Sequence, residues 1–204
     1  MCSIIGSYSV DKILELAALN AYRGQHSYSV SLFARDGSLV SQIKGLGELP
    51  LDQIHNEADG YIICHQQAPT TNNKSIDSVH PAIIDEYHML WHNGIVKDYW
   101  VKANGNGETW DTKIILQRLI DGSSLDSIDG TFSCVWYNGE KIRVFRNEIS
   151  PLFIDDQINI SSTKFEGSTS LPPNQVFQLD LIHSKIEPQG TSFTTYENPY
   201  FFME

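Results

Sequence analysis

The chain opens Met1-Cys2-Ser3-Ile4-Ile5-Gly6, and removal of Met1 would leave a thiol and a free α-amine on one residue. The thiolate is a strong nucleophile, and an α-amine titrating at about 7.7–8.0 is a usable proton acceptor near neutral pH. Cys2 would then supply both attacking group and general base for cleaving an amide. The plain alternative is a small second residue present by chance. A further dipeptide and a further carboxylate also have plain readings. Asn93-Gly94 is the strongest short hairpin signal, which Asn138-Gly139 illustrates between its two apolar flanks. Asp111, followed by Thr-Lys-Ile-Ile-Leu, suits a helix N-cap.

What lends these residues weight is their order. After Cys2 come Tyr22-Arg23-Gly24-Gln25-His26-Ser27, Ile63-Cys64-His65-Gln66-Gln67-Ala68-Pro69-Thr70, Val79-His80-Pro81 and Trp91-His92-Asn93-Gly94-Ile95-Val96. Glu108-Thr109-Trp110-Asp111-Thr112, Ile128-Asp129-Gly130-Thr131-Phe132, Ser150-Pro151-Leu152-Phe153 and Ile160-Ser161-Ser162-Thr163 complete the series. In this order and spacing the chain resembles the glutaminase domain of the class II glutamine amidotransferases, from Cys2 to about residue 185.

The resemblance implies an α+β fold, the four-layer αββα sandwich of the N-terminal-nucleophile hydrolases, with the nucleophile starting a central strand. It implies Cys2 as nucleophile, Asn93 and Gly94 as the oxyanion hole, and Asp111 as the carboxylate that binds the substrate α-ammonium. Arg23 and Gly24 shape the loop around the nucleophile, with His92 as further support, and Ser161-Ser162-Thr163 packs close by. At Gln67 the chain departs from the pattern. Relatives place an arginine there, in an Arg-x-x-Thr arrangement that grips the substrate α-carboxylate; here Thr70 remains and the cation is gone. Charged hydrogen bonds contribute about 1.5–3 kcal/mol against about 0.5–1.5 for neutral ones. Free glutamine is therefore expected to bind more weakly, unless Lys74 reaches in or the substrate is a γ-glutamyl compound with a blocked α-carboxylate. A catalytically weak protein that uses the fold as an interaction or regulatory subunit is the alternative.

Composition narrows the classes. A chain of 204 residues with 41% hydrophobic and 19% charged residues suits one globular domain with a sizeable core. Three cysteines without a CxxC pair suggest neither a disulfide framework nor a zinc site, and Cys64 and Cys134 sit in apolar runs as buried thiols. His65, His80 and His92 lack ligand spacing, and the family needs no metal for glutamine hydrolysis; no cofactor is expected. A net charge of −11 argues against nucleic acid. No apolar run approaches the ~18 residues of a membrane span, and the N-terminus does not resemble a signal peptide, so the expectation is a cytoplasmic protein with no membrane partner.

The elements that must position these groups read as follows. Strands are expected over residues 3–9, 29–34, 39–43, 61–65, 87–92, 131–137, 141–145, 152–154, 158–161 and 176–181. A helix over 12–22 is capped by Asp11, and a second runs over 112–120 after Asp111. Residues 70–78 read as an exposed loop near the site. The domain spans residues 2–185, leaving 186–204 as a C-terminal tail and possible docking segment rich in aromatics. The family's ammonia-accepting domain has no counterpart in this chain, so a separate synthase subunit is a candidate partner.

Overall fold

The computed structural model describes residues 2–56, 59–68 and 75–195. Thr70, Lys74 and the aromatic tail from Tyr196 lie outside the described residues. In chain order the elements are β1 (Ser3–Ser7), α1 (Val10–Asn20), β2 (Ser27–Phe33), β3 (Leu39–Leu46), β4 (Tyr61–Gln67), β5 (Ala82–Asp85) and β6 (His88–Val96). Then follow α2 (Asp98–Asn104), α3 (Asp111–Ile120), β7 (Gly130–Tyr137), β8 (Ile142–Arg146), β9 (Phe153–Ile154), β10 (Ile160–Ser161), β11 (Thr169–Ser170), β12 (Gln175–Asp180) and β13 (Lys185–Ser192).

Alternation along the strands builds the layers. Ile4 enters a core shared with Tyr61, Ile63, Trp91 and Val135, while its neighbour Ile5 enters another with Ile13, Leu16, Ile62 and Cys64. Successive side chains point to opposite faces, so β1 is covered on both. The same holds in β6, where Trp91 joins the first core and Leu90 a third one with Ile115, Leu116 and Phe132. A seven-stranded sheet, ordered β11-β9-β10-β1-β4-β2-β3, therefore packs on a six-stranded one, ordered β13-β12-β8-β7-β6-β5. The recorded pairings are antiparallel. Helix α1 covers the outer face of the first sheet, and α2 and α3 that of the second. The result is an α+β, four-layer αββα sandwich with β1 at the centre of its sheet.

Several local expectations change. Helix α1 begins at Val10, and its cap is Ser9, whose side chain accepts from Lys12 N at 3.2 Å; Asp11 lies in the first turn. A helix the periodicity did not suggest, α2, packs Trp100 and Val101 into the third core. Strand β13 pairs with β12 and Phe193 is buried beyond it, so ordered structure continues past residue 185 into what was read as the tail. Asn138-Gly139 does turn the chain, Asn138 N donating to Lys141 O at 3.3 Å.

Candidate functional site

Cys2 stands immediately before β1, one step beyond the Ser3–Gln66 pair of the β1–β4 ladder. Its exposure is 7%, and alternation with Ile4 turns its side chain toward the space between the sheets. Two contacts fix it. Arg23 Nε donates to the Cys2 carbonyl oxygen at 2.9 Å, and Cys2 Sγ donates to the Ala68 carbonyl oxygen at 3.6 Å. Arg23 is presented by a single helical turn, Ala21–Arg23, that extends α1. Gly24 follows in extended backbone, where a Cβ would lie 2.4 Å from Ala68 N. Only glycine lets the Arg23 turn approach the strand end that receives the thiol. Burial pushes the Cys2 thiol up; the Ala68 contact, the positive amino terminus and Arg23 oppose this, while the Asp111 carboxylate adds to it.

Asn93 and Gly94 lie inside β6, paired with Ser133 and Phe132 of β7. The hairpin reading of this dipeptide is thereby overturned. Asn93 shares the inter-sheet face with Trp91 and so points into the same space as Cys2, from the facing sheet. Its Nδ2 donates to Ser162 Oγ at 3.4 Å, and Ser162 Oγ also accepts from Ile4 N at 2.9 Å. Ser161 of the same run accepts at Oγ from Asn20 Nδ2 at 2.9 Å. The Asn93 backbone carbonyl accepts from Ser150 Oγ at 2.6 Å and from Ser133 Oγ at 3.4 Å. A Cβ on Gly94 would fall 1.9 Å from Thr131 O and 2.8 Å from His92 Nε2; the ladder closes at this point only around glycine.

Asp111 is the first residue of α3, not its cap; Trp110 holds the cap position without a side-chain bond. One Asp111 oxygen accepts from Thr112 N at 2.7 Å and the other from Val96 N at 3.2 Å. The carboxylate thus ties α3 to the end of β6 and keeps 22% of its surface exposed. Buried His92 stands beneath it, with Nδ1 3.1 Å from Thr112 Oγ1 and 3.8 Å from Asp111 Oδ1, and Nε2 3.3 Å from Thr131 O.

Gln67 does not present a free amide. It is buried, its Nε2 donates to Ser78 O at 3.0 Å, and its Oε1 accepts from His80 N at 3.3 Å. His80 Nδ1 is 3.2 Å from the same oxygen. The His65 ring stacks on that of His80 with centroids 4.3 Å apart, and His65 Nε2 donates to His92 O at 3.1 Å. Burial, with the nearby charges of His92 and Lys44, pushes His65 down to about 3 against its hydrogen bond to His92 O. Burial and the same cationic neighbourhood hold His80 well below its ordinary value. Lys44 Nζ braces the segment, donating to Val79 O at 2.8 Å and Pro81 O at 2.6 Å, and burial lowers it to about 8. Cys64 and Cys134 are fully buried thiols pushed upward by burial, Cys64 to about 12.

Cys2, Arg23, Gly24, Gln67, His92, Asn93, Gly94 and Asp111 therefore gather at one end of the sandwich. Thr70 and Lys74 lie outside the described residues. Sequence reasoning named Thr112 and Ser150 within the ordered motifs but gave neither a role of its own. Among the described residues no cluster of three or more His, Cys, Asp or Glu is arranged to hold a metal ion, and no helix is long and apolar enough to cross a membrane.

No protein-family model matches the sequence, and no curated protein does. Solved structures do match. Glutamine phosphoribosylpyrophosphate amidotransferase from B. subtilis, complexed with ADP and GMP, aligns at TM-score 0.63 and 15% identity over 92% of this chain and 49% of that one. A structure described as the allosteric regulatory enzyme of purine biosynthesis aligns at TM-score 0.59 and 13% identity, over 93% of this chain and 48% of that one. The chain spans about half the length of these structures. At such identity the likeness is one of fold: the sandwich is shared with these two structures.

Proposed function

We propose that the protein is a class II glutamine amidotransferase-like amidohydrolase acting through an N-terminal Cys2. With Met1 removed, the thiol attacks the γ-amide carbonyl of glutamine or a γ-glutamyl compound. The Cys2 amine takes the thiol proton and returns it to the leaving nitrogen, so that ammonia departs and a γ-glutamyl thioester remains. Water then adds to the thioester, restoring the thiol and releasing glutamate. Asn93 Nδ2 and Gly94 N–H hold the oxyanion, Asp111 binds the α-ammonium, and Arg23 fixes the nucleophile's carbonyl. Ammonia is released to water or to a separate synthase subunit.

The observation that carries this reading is that the buried Cys2 thiol and the Asn93 amide, whose bond among the described residues is a long one to Ser162, enter the same inter-sheet space. Ser162 bridges that amide to the backbone of β1. The test is ammonia release from glutamine and from γ-glutamyl amides by wild type and Cys2→Ala. The reading requires release by wild type and none by the variant; equal traces from both would reject it.

A second reading, an interaction or regulatory subunit on the same fold, draws on Gln67. Its neutral amide is engaged with Ser78 and His80 and supplies no charge to an α-carboxylate. Within the enzymatic reading the same fact favours weak binding of free glutamine, or a substrate with a blocked α-carboxylate and Thr70 as its remaining contact. Comparing glutamine with its α-carboxamide decides: a KM for the carboxamide equal to or below that for glutamine supports the blocked substrate.

A further inference from the structure

Thr112 is fully buried in the first turn of α3, and its hydroxyl has three polar side-chain neighbours. Oγ1 lies 3.0 Å from His80 Nε2, 3.1 Å from His92 Nδ1 and 3.3 Å from Asp111 Oδ1. The proton positions follow from the network. Gln67 Oε1 can only accept, so the proton of neutral His80 sits on Nδ1, 3.2 Å away. His80 Nε2 is then an acceptor, and the Thr112 hydroxyl, whose one proton can go to His80 Nε2 or to Asp111 Oδ1, lies between it and His92 Nδ1. A buried chain of polar contacts, Gln67–His80–Thr112–His92, thus joins β4 of one sheet to α3 and to β6 of the other. Asp111 hangs from its middle, held by the backbone N–H of Thr112 and by that of Val96 at the end of β6.

We infer that Thr112, backed by His80, is a positioning residue that sets the Asp111 carboxylate relative to Cys2 and so makes the site selective for amides bearing an α-ammonium. This rests on the reading of Asp111 as the ammonium ligand. Thr112→Val keeps the shape and removes the hydroxyl, leaving His80 Nε2 and His92 Nδ1 without their shared partner. His80→Asn reads the same coupling from the other end, because its amide can still face Gln67 but no longer reaches Thr112.

The assay compares steady-state hydrolysis of glutamine with that of 5-amino-5-oxopentanoate, which has the same γ-amide and no α-ammonium. For glutamine, Thr112→Val should raise KM about tenfold with kcat within twofold, and Thr112→Ser should restore it. KM for the ammonium-free amide should not change, and His80→Asn should give the same split, about threefold for glutamine. Equal changes for both amides, or none for either, would overturn the inference. If Thr112→Val does not fold, the His80→Asn result decides alone. Wild type inactive on both amides would reject the functional reading itself; an active wild type whose KM rises in Asp111→Asn but not in Thr112→Val or His80→Asn would reject this inference alone.

Discussion

Asn93→Ala should slow amide cleavage about 10²–10³-fold, the effect of about 2.7–4 kcal/mol lost from the transition state when one oxyanion donor is removed. Its cost to folding should be small. The side-chain amide makes one recorded contact, to Ser162 Oγ at 3.4 Å, long for a hydrogen bond and worth under about 1 kcal/mol. The bonds from Ser150 and Ser133 go to the backbone carbonyl and survive the substitution. Ser162→Ala is the converse. Ile4 N, buried and held at 2.9 Å, loses its acceptor, which costs about 1–3 kcal/mol of stability, while the Asn93 amide loses only its long bond and is still there to donate. Measuring kcat with saturating amide beside the urea unfolding midpoint of each variant separates the two effects. A folded Asn93→Ala retaining more than a tenth of wild-type kcat would refute the oxyanion argument. A loss of stability above about 3 kcal/mol in that variant would show that the amide serves the fold.

Gly94→Ala should destabilise by about 3 kcal/mol, since its Cβ would sit 1.9 Å from Thr131 O and part the β6–β7 ladder; an unchanged urea midpoint would contradict this. Stability should fall as the pH drops from 7 to 5.5. Unfolded histidines titrate near about 6.5, whereas folded His65 is held at about 3 and His80 well below its ordinary value. The unfolded chain binds more protons below about 6.5, so this contribution is fully present above that pH and is lost progressively toward about pH 3, at about 1 kcal/mol per histidine by pH 5.5. His65→Asn, read by urea titration at both pH values, should flatten the slope. Arg23→Met removes a positive charge that lowers the Cys2 thiol and a donor to its carbonyl; alkylation of Cys2 by iodoacetamide should need higher pH, and an unshifted pH profile would count against the clamp.

The strands were legible because burial on both faces leaves near-continuous apolar runs, as in Ile62-Ile63-Cys64 and Met89-Leu90-Trp91; alone they support only an α+β class, and the four layers are what the family resemblance implies. What escaped the sequence lacked a local signature. Helix α2 is seven residues without a capping side chain, and β13 carries Pro188 and a largely exposed face at a sheet edge, which reads as loop. Asn93-Gly94 is the opposite case: a strong local turn signal that the surrounding motifs set aside, in a dipeptide that pairs within β6 and β7. Cys2 and Asp111 could be picked out by type and spacing. That the Gln67 amide is held by Ser78 and His80 could not, because those partners lie more than ten positions away and meet it only through the loop that Lys44 braces.

The most direct test is the mass of the N-terminal peptide after treating the purified protein with 6-diazo-5-oxo-L-norleucine. A peptide beginning at Cys2 and carrying one covalent adduct is the predicted result. A peptide that retains Met1 and carries no adduct would contradict a nucleophile whose own amine moves the proton.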